Sequence, residues 1–174
     1  MSIGGKVMKT IYLIGMMGVG KSSIGRQLAE AMKVPFFDLD QEIEALAQKS
    51  INDIFAIDGE EIFRQLEKKQ LRNLPNENAV VATGGGIVLD QENRNWLQEN
   101  GTVVWLTANT DTIVQRLESD RSRPLLQDDV RRKIGELLIA RDGLYHQTAD
   151  FTMSTDGKSV EYIVSQVAKL QLGE

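Results

Sequence analysis

The sequence predicts a three-layer α/β/α fold in which helices cover both faces of a mostly parallel sheet. Short apolar stretches of strand length alternate with segments of helical periodicity, and a glycine-rich loop joins the first strand to the first helix. With 174 residues, of which 41% are hydrophobic, the chain is long enough for one domain with a sizeable core. We therefore expect a single domain over residues 1–174.

The first half of the chain predicts two strands separated by helices. The run Thr10–Ile14 is rich in β-branched and aromatic residues and is bounded by glycine, which is typical of a strand. Apolar residues at helical spacing follow it and predict a helix that includes residues 24–32. The same patterns predict a second strand over 34–37 and helices over 38–49, 50–58 and 59–74, the last of which ends before Pro75.

The second half continues the alternation. Strands are predicted over 79–83, 102–106 and 151–154, and a triple glycine at 84–86 follows the first of them. Residues 118–129 are polar, contain a proline and predict a loop. Helices are predicted over 91–100, 111–117, 130–148 and 159–172.

A glycine-rich segment over residues 15–22, hereafter the phosphate loop, matches the pattern G-x-x-x-x-G-K-S. In this pattern, backbone N–H groups and the N-terminus of the following helix bind phosphate. Lys21 is expected to reach the β- and γ-phosphates, and the Ser22 hydroxyl is expected to bind Mg²⁺. The predicted ATP-binding residues here are Gly18, Val19, Gly20, Lys21, Ser22 and Ser23.

The carboxylate that usually accompanies such a loop is not where it is normally found. P-loop proteins usually carry a metal-directed aspartate after another apolar strand, but the strand over 79–83 ends in glycines. Asp38 and Asp40 instead follow the second strand, at the sheet edge where ligands of open α/β sheets bind. Capping of the following helix is the alternative interpretation of either aspartate, and both roles can coexist.

Composition excludes several classes of function. A formal charge of −5 and a pI near 5.0 give no overall attraction to nucleic acid or anionic membranes. The absence of cysteine excludes disulfides, thiolate metal sites and cysteine nucleophiles. The first nine residues lack an apolar run of signal-peptide length, and Met8 offers a second possible start. We expect a cytoplasmic monomer that binds neither nucleic acid nor membrane.

Six motifs in a fixed order resemble those of the shikimate kinase family, and the resemblance runs over nearly the whole chain. They are the phosphate loop, DLD at 38–40, GEEIFR at 59–64, TGGG at 83–86, RPLL at 123–126 and RDGLY at 141–145. The resemblance implies transfer of the ATP γ-phosphoryl group to the 3-hydroxyl of shikimate, a step in chorismate and aromatic amino-acid biosynthesis. It also implies a P-loop kinase fold with a five-stranded parallel sheet in the order 2-3-1-4-5.

The resemblance assigns the acceptor site to matched residues within and beyond the region 38–74. It implies that Arg64 and Arg141 bind the shikimate carboxylate, since guanidinium groups bind carboxylates with paired hydrogen bonds. The backbone at Gly85 and Gly86 would approach the ring because no side chain blocks it. Asp40 would accept from the reacting hydroxyl, either as a base or as an orienting group.

The resemblance also implies the nucleotide and metal contacts. Asp38 would help to hold Mg²⁺ through water, with Ser22 as the direct ligand. Arg116 would lie against the adenine ring, and the loop over 155–158 would line its other side.

Residues 118–129 would form a lid that excludes water from the site. Within it, Arg123 would reach the transferred phosphoryl group, where an arginine contributes about 10³- to 10⁵-fold in rate. Arg121 is expected to be solvated. The predicted catalytic residues are Lys21, Asp40 and Arg123.

Several of these residues have other possible roles. Arg64 has Glu60 and Glu67 at helical spacing, which is also typical of an ion-pair network on a helix surface; in the functional interpretation, Glu67 holds Arg64 in position. The triple glycine is also compatible with a flexible turn, and Arg141 with a helical charge pattern.

Two rival functions stay open on the sequence. A kinase for another small carboxylate such as gluconate shares the fold class. A catalytically silent nucleotide-binding relative is disfavoured because the chemical residues are all present. His146, the single histidine, is interpreted as a surface or helix-end residue, and Trp96 and Trp105 as core.

Overall fold

The computed structural model describes residues 7–119 and 127–173. Its centre is a five-stranded parallel sheet in the order β2-β3-β1-β4-β5, which confirms the predicted fold class and strand order. The strands are β1 (Thr10–Ile14), β2 (Phe36–Asp38), β3 (Val80–Ala82), β4 (Gly101–Thr107) and β5 (Phe151–Ser154).

Helices follow the strands as the alternating pattern predicts. They are α1 (Lys21–Met32), α2 (Leu39–Ala47), α3 (Ile51–Asp53), α4 (Glu60–Asn73), α5 (Gln91–Asn100), α6 (Thr110–Ser119), α7 (Gln127–Thr148) and α8 (Val160–Leu172). Helix α1 packs against α8, and α5 packs against α7. These helix pairs cover the sheet and produce the three layers.

Strand β1 lies at the middle of the sheet. Ile11 pairs with Val80 of β3, and Tyr12 pairs with Val103 of β4. All five residues of β1 are buried because strands flank it on both edges and helices cover both faces. The phosphate loop therefore starts between the C-terminal ends of two other strands.

The observed elements differ from the predicted ones in detail. A π-helical turn, Ile54–Asp58, replaces part of the helix predicted over 50–58. Leu46 and Ile62 fit the apolar spacing of the helices predicted over 38–49 and 59–74, yet both are exposed. Trp105 is buried in the core as predicted, whereas Trp96 is only half-buried and packs against the core.

The loop predicted over 118–129 is shorter than expected at both ends. Helix α6 continues to Ser119, and α7 begins at Gln127. Arg121 and Arg123 lie in residues 120–126, outside the described part of the chain. Their predicted roles therefore stay predictions.

Of the helices in the described ranges, none combines the length and the apolar character needed to cross a membrane.

Candidate active site

A cavity of about 440 Å³ opens at the edge of the sheet where the parallel strands end. Most of the predicted site residues line it together with others that the sequence did not single out. The lining residues are Met17, Gly18, Gly20, Lys21, Ser22, Ser23, Asp38, Asp40, Thr83, Gly84, Gly85, Arg116 and Leu117. The structure thus brings the phosphate loop and the aspartate pair to one cavity.

The phosphate loop has the backbone shape that its glycines permit. Gly18 and Gly20 have φ values of 80° and 98°, in the region that favours glycine over other residues. Gly20 is the N-cap of α1 and, having no side chain, leaves the first N–H groups of that helix without a side-chain acceptor. The loop therefore presents backbone donors and the positive end of a helix dipole to an anion.

Lys21 lies inside the phosphate loop. Its Nζ donates to the carbonyl oxygens of Gly15 at 2.6 Å and Met16 at 2.8 Å, and only 9% of the residue is exposed. Burial lowers the pKa of Lys21 to about 8, although nearby Asp40 and Asp38 partly oppose this shift. The lysine is therefore poorly solvated, and a phosphate would supply a direct partner for its charge.

Asp38 makes the helix-capping contact that was weighed for it and also contacts the phosphate loop, while its metal role stays a prediction. Its Oδ2 accepts from the Ser22 hydroxyl at 2.5 Å, while its Oδ1 accepts from the N–H groups of Asp40 at 3.1 Å and Gln41 at 3.3 Å. The second pair of bonds caps helix α2. One carboxylate thus joins the phosphate loop to the helix that carries Asp40.

The oxygen atoms of Ser22 and Asp38 suit Mg²⁺ when the phosphates of a nucleotide supply further ligands. The described residues contain no group of three or more carboxylate, histidine or cysteine side chains that could hold a metal ion. Ser22 and Asp38 offer a hydroxyl and a carboxylate oxygen, which is the small oxygen set that Mg²⁺ uses alongside phosphates and water.

Asp40 is half-buried at the cavity wall. Its Oδ1 is buried and has no hydrogen-bond partner among the described residues. Burial raises the pKa of Asp40, and the neighbouring Asp38 raises it further, while Lys21 and Arg64 act in the opposite direction. An unpartnered carboxylate oxygen with a raised pKa is suited to accept a hydrogen bond or a proton from a ligand hydroxyl.

Arg64 is held by a buried carboxylate. Its Nη1 donates to Glu67 Oε1 at 2.9 Å, and the Glu67 side chain is only 1% exposed. Glu60, the other partner at 3.4 Å, is largely exposed. Burial raises the pKa of Glu67, and Arg64 opposes this effect. The burial of Glu67 contradicts the interpretation of Arg64 as part of a helix-surface network, because exposed pairs do not bury a carboxylate.

The triple glycine packs against the charged groups of the site. None of Gly84, Gly85 and Gly86 has a positive φ, so conformational freedom does not explain them. A Cβ atom on Gly84 would lie 3.0 Å from Asp40 Oδ1, and one on Gly86 would lie 2.5 Å from Arg64 Nη2. Gly84 and Gly86 therefore leave the space that the charged side chains of Asp40 and Arg64 occupy, whereas a Cβ atom on Gly85 would make ordinary contacts.

Arg141, on α7, lies beside Gly85. Its Nη1 lies 3.4 Å from the position that a Cβ atom of Gly85 would occupy. No carboxylate within the described ranges forms an ion pair with Arg141. Arg64 and Arg141 thus converge on consecutive glycines, and the charge of Arg141 is left without a carboxylate partner there.

Arg116 lies between two cavities. Its Nη1 donates to the carbonyl oxygens of Gly18 at 3.3 Å and Val19 at 3.0 Å, and to Thr155 Oγ1 at 3.1 Å. It also lines a second cavity of about 210 Å³ with Lys158 and other residues of the predicted adenine region. Arg116 therefore supports the phosphate loop, and its predicted place against the adenine ring stays a prediction.

Tyr145 and Thr155 received no individual role from sequence reasoning, although both lie in segments named there, the RDGLY motif and the loop over 155–158. Thr155 is a buried partner of Arg116. Tyr145 lies four residues after Arg141, a spacing that places both on one helix face and that would have placed Tyr145 near the acceptor. His146 is exposed on α7, as predicted.

Comparison with known sequences gives consistent matches along the chain. A sequence model of the family described as shikimate kinase matches residues 17–171. A shikimate kinase of Persephonella marina is 47% identical over 161 residues, which cover 92% of this chain and 97% of that protein. One of Bacillus cereus strain AH187 is 42% identical over 161 residues, with coverage of 92% and 96%.

The fold gives the same result among solved structures. The shikimate kinase of Acinetobacter baumannii, solved in complex with shikimate, is similar with a TM-score of 0.88 and 38% sequence identity. The similarity covers 95% of this chain and 94% of that one.

Proposed function

The chain belongs to the shikimate kinase family, and we infer from this membership that it transfers the γ-phosphoryl group of ATP to the 3-hydroxyl of shikimate. The products are shikimate 3-phosphate and ADP. The resemblance seen in the six sequence motifs is thereby confirmed, and the chain is a phosphotransferase that uses an alcohol acceptor.

One observation supports the acceptor above all others. Two guanidinium groups, those of Arg64 and Arg141, meet at Gly85 and Gly86, and a Cβ atom on Gly85 would lie 3.5 Å from the Met17 backbone nitrogen in the phosphate loop. A small acceptor with a carboxylate fits this arrangement, because the arginines would hold its carboxylate while its hydroxyl faces the phosphates.

Asp40 takes the proton in this proposal. As the 3-hydroxyl oxygen attacks the γ-phosphorus, its proton passes to the unpartnered Oδ1 of Asp40 and the bond from phosphorus to the ADP oxygen breaks. The raised pKa of Asp40 makes this carboxylate a better proton acceptor than an exposed aspartate. Lys21 neutralises charge on the β- and γ-phosphates.

Mg²⁺ is the proposed metal. Ser22 and Asp38 would hold it together with the ATP phosphates, and it would neutralise charge on the phosphoryl oxygens. Arg123 is proposed at the transferred phosphoryl group on the strength of the RPLL motif, since it lies outside the described residues. The proposed acceptor-binding region is 38–74, with residues 83–86 and α7.

An assay of ADP release tests the acceptor directly. Purified protein is supplied with ATP and Mg²⁺, and shikimate, gluconate and AMP are added in separate reactions. We expect shikimate alone to accelerate ADP release, and mass spectrometry to find one phosphate on the 3-hydroxyl of the product. Faster ADP release with gluconate or AMP, and not with shikimate, would contradict shikimate as the acceptor.

We also propose that one chain suffices for activity and that the protein works in the cytoplasm. The chain itself contains every residue to which the proposal assigns a role in binding ATP, Mg²⁺ or the acceptor. Light scattering after size-exclusion chromatography, with activity measured in the same fractions, tests the monomer. Fractionation of the source cells tests the location.

A further inference from the structure

Tyr145 is a buried residue whose side chain is held beside Gly85 by ring stacking and by one hydrogen bond. It is 0% exposed, and its ring stacks on Trp105 with a centroid distance of 5.6 Å. Its hydroxyl donates to the carbonyl oxygen of Gly85. Burial raises the pKa of Tyr145 to about 12, although Arg141 opposes the shift, so the hydroxyl keeps its proton at neutral pH.

The hydrogen bond from Tyr145 to Gly85 holds the carbonyl end of the peptide group between Gly85 and Gly86. The other end of this group is the N–H of Gly86. The peptide between Gly85 and Gly86 is planar, so its carbonyl and its N–H group point in opposite directions. No residue in the described ranges accepts from the N–H of Gly86, whereas the N–H groups of Ile87 and Leu89 bond back to the carbonyl oxygens of Gly84 and Gly86. Holding the carbonyl therefore fixes the direction of a free donor.

The same bond also ties helix α7 to the glycines. Tyr145 lies one helical turn after Arg141, and both side chains reach Gly85. An anchor one turn away limits how far the Arg141 guanidinium can shift relative to the Gly85 backbone.

We propose that Tyr145 is a positioning residue for the acceptor: through Gly85 it orients the free N–H of Gly86 and keeps Arg141 beside it, without touching the acceptor itself. This inference rests on the proposed function, because it assigns the peptide and Arg141 to shikimate. Its effect belongs to acceptor binding, because the hydroxyl of Tyr145 bonds to Gly85 and to no phosphate-loop residue among those that the structure describes.

The test is Tyr145→Phe, which removes the hydroxyl and keeps the ring that stacks on Trp105. We expect the KM for shikimate to rise about 3- to 10-fold, the range for loss of one neutral hydrogen bond. The KM for ATP and kcat should stay within about twofold of the wild-type values. Calorimetric titration of shikimate without nucleotide should give the same rise in Kd. All measurements are made well below the unfolding midpoint of each variant.

Tyr12→Phe is the matched control. Tyr12 is also 0% exposed, and its hydroxyl lies near Trp96 but makes no hydrogen bond of normal geometry with a described residue, so the same atom is removed from the core instead of the site. This control should leave the KM for shikimate unchanged.

Three results would overturn the role of Tyr145. They are an unchanged Kd for shikimate in Tyr145→Phe, an equal rise in both KM values, and an equal rise in the Tyr12→Phe control. If the wild-type protein shows no shikimate-dependent release of ADP, the proposed function itself fails, which is a separate outcome of the same experiments.

Discussion

Gly86→Ala should disturb the acceptor site without disturbing the rest of the fold. Gly86 has φ −93° and ψ 6°, a backbone conformation that alanine can adopt. The added Cβ atom would lie 2.5 Å from Arg64 Nη2, 2.6 Å from Nη1 and 2.8 Å from Cζ. The atoms that must move therefore belong to the end of a flexible side chain, so the cost falls on the guanidinium position and not on the backbone.

The size of the effect follows from these distances. Non-bonded carbon contacts are normally about 3.5 to 4.0 Å, so the guanidinium has to move by about 1 Å. A misplacement of about 1 Å can cost about 100-fold, and loss of one charge-assisted hydrogen bond costs about 1.5 to 3 kcal/mol. We therefore expect the KM for shikimate to rise between about 10-fold and 100-fold, with the KM for ATP unchanged.

The assay is steady-state ADP release, with shikimate varied at saturating ATP and ATP varied at saturating shikimate. Gly135→Ala, on α7, is the matched control because a Cβ atom there meets nothing within 4 Å. It should leave both KM values unchanged. In an Arg64→Leu background, Gly86→Ala should add little, because the group that the Cβ atom displaces is already missing.

A folded Gly86→Ala protein with a shikimate KM within about twofold of the wild-type value would refute the reasoning. So would a full effect of Gly86→Ala in the Arg64→Leu background. Either result would mean that Arg64 does not act on the acceptor from its observed position.

Three other predictions concern the charged groups. The pKa of Lys21 is about 8, and only the charged form of the lysine attracts phosphate, so kcat/KM for ATP should fall as pH rises through about 8. A pH profile of kcat/KM that is flat from 7 to 9 would contradict this. The pKa of Asp40 is raised above its ordinary 3.8 in the folded protein. The folded protein therefore loses stability as pH rises from 3.8 through the raised pKa, and the loss is complete above it. Asp40→Asn should abolish turnover, because the proposed proton acceptor is removed. In thermal melts without ligand or Mg²⁺, the same change should raise the Tm by about 2 to 4 °C at pH 7. This gain in Tm should shrink as the pH falls toward 3.8. Asp38→Asn and Asp38→Ala should both raise the Mg²⁺ requirement in activity titrations, but only the alanine, which cannot cap α2, should lose about 1 kcal/mol in denaturant unfolding.

Much of the fold was predictable because its signals are local. Strand β1 and helix α5 have the predicted bounds, since an apolar run bounded by glycine and a periodic segment ended by Gly101 mark their own limits. The π-helical turn Ile54–Asp58 was not predictable, because its hydrogen bonds depend on packing and not on periodicity. Ile62 and Leu46 fit a helical spacing, yet tertiary packing leaves them exposed.

The candidate site divides in the same way. The phosphate loop and the two aspartates carry their chemistry in a few consecutive residues, so the sequence identifies them. The bond between Ser22 and Asp38, the packing of Glu67 beside Gly84 and the contact of Tyr145 with Gly85 join segments far apart in the chain. Only the folded structure brings those segments together.

The place of β1 between β3 and β4 also has a consequence for the order of events during synthesis. Its pairing partners, Val80–Ala82 and Gly101–Thr107, leave the ribosome long after β1 itself, because the chain grows from its N-terminus. Until then both edges of β1 are open, and the phosphate loop has no sheet to hold its shape. The nascent chain therefore gains its ability to retain nucleotide late, and its unpaired central strand is exposed to aggregation before then.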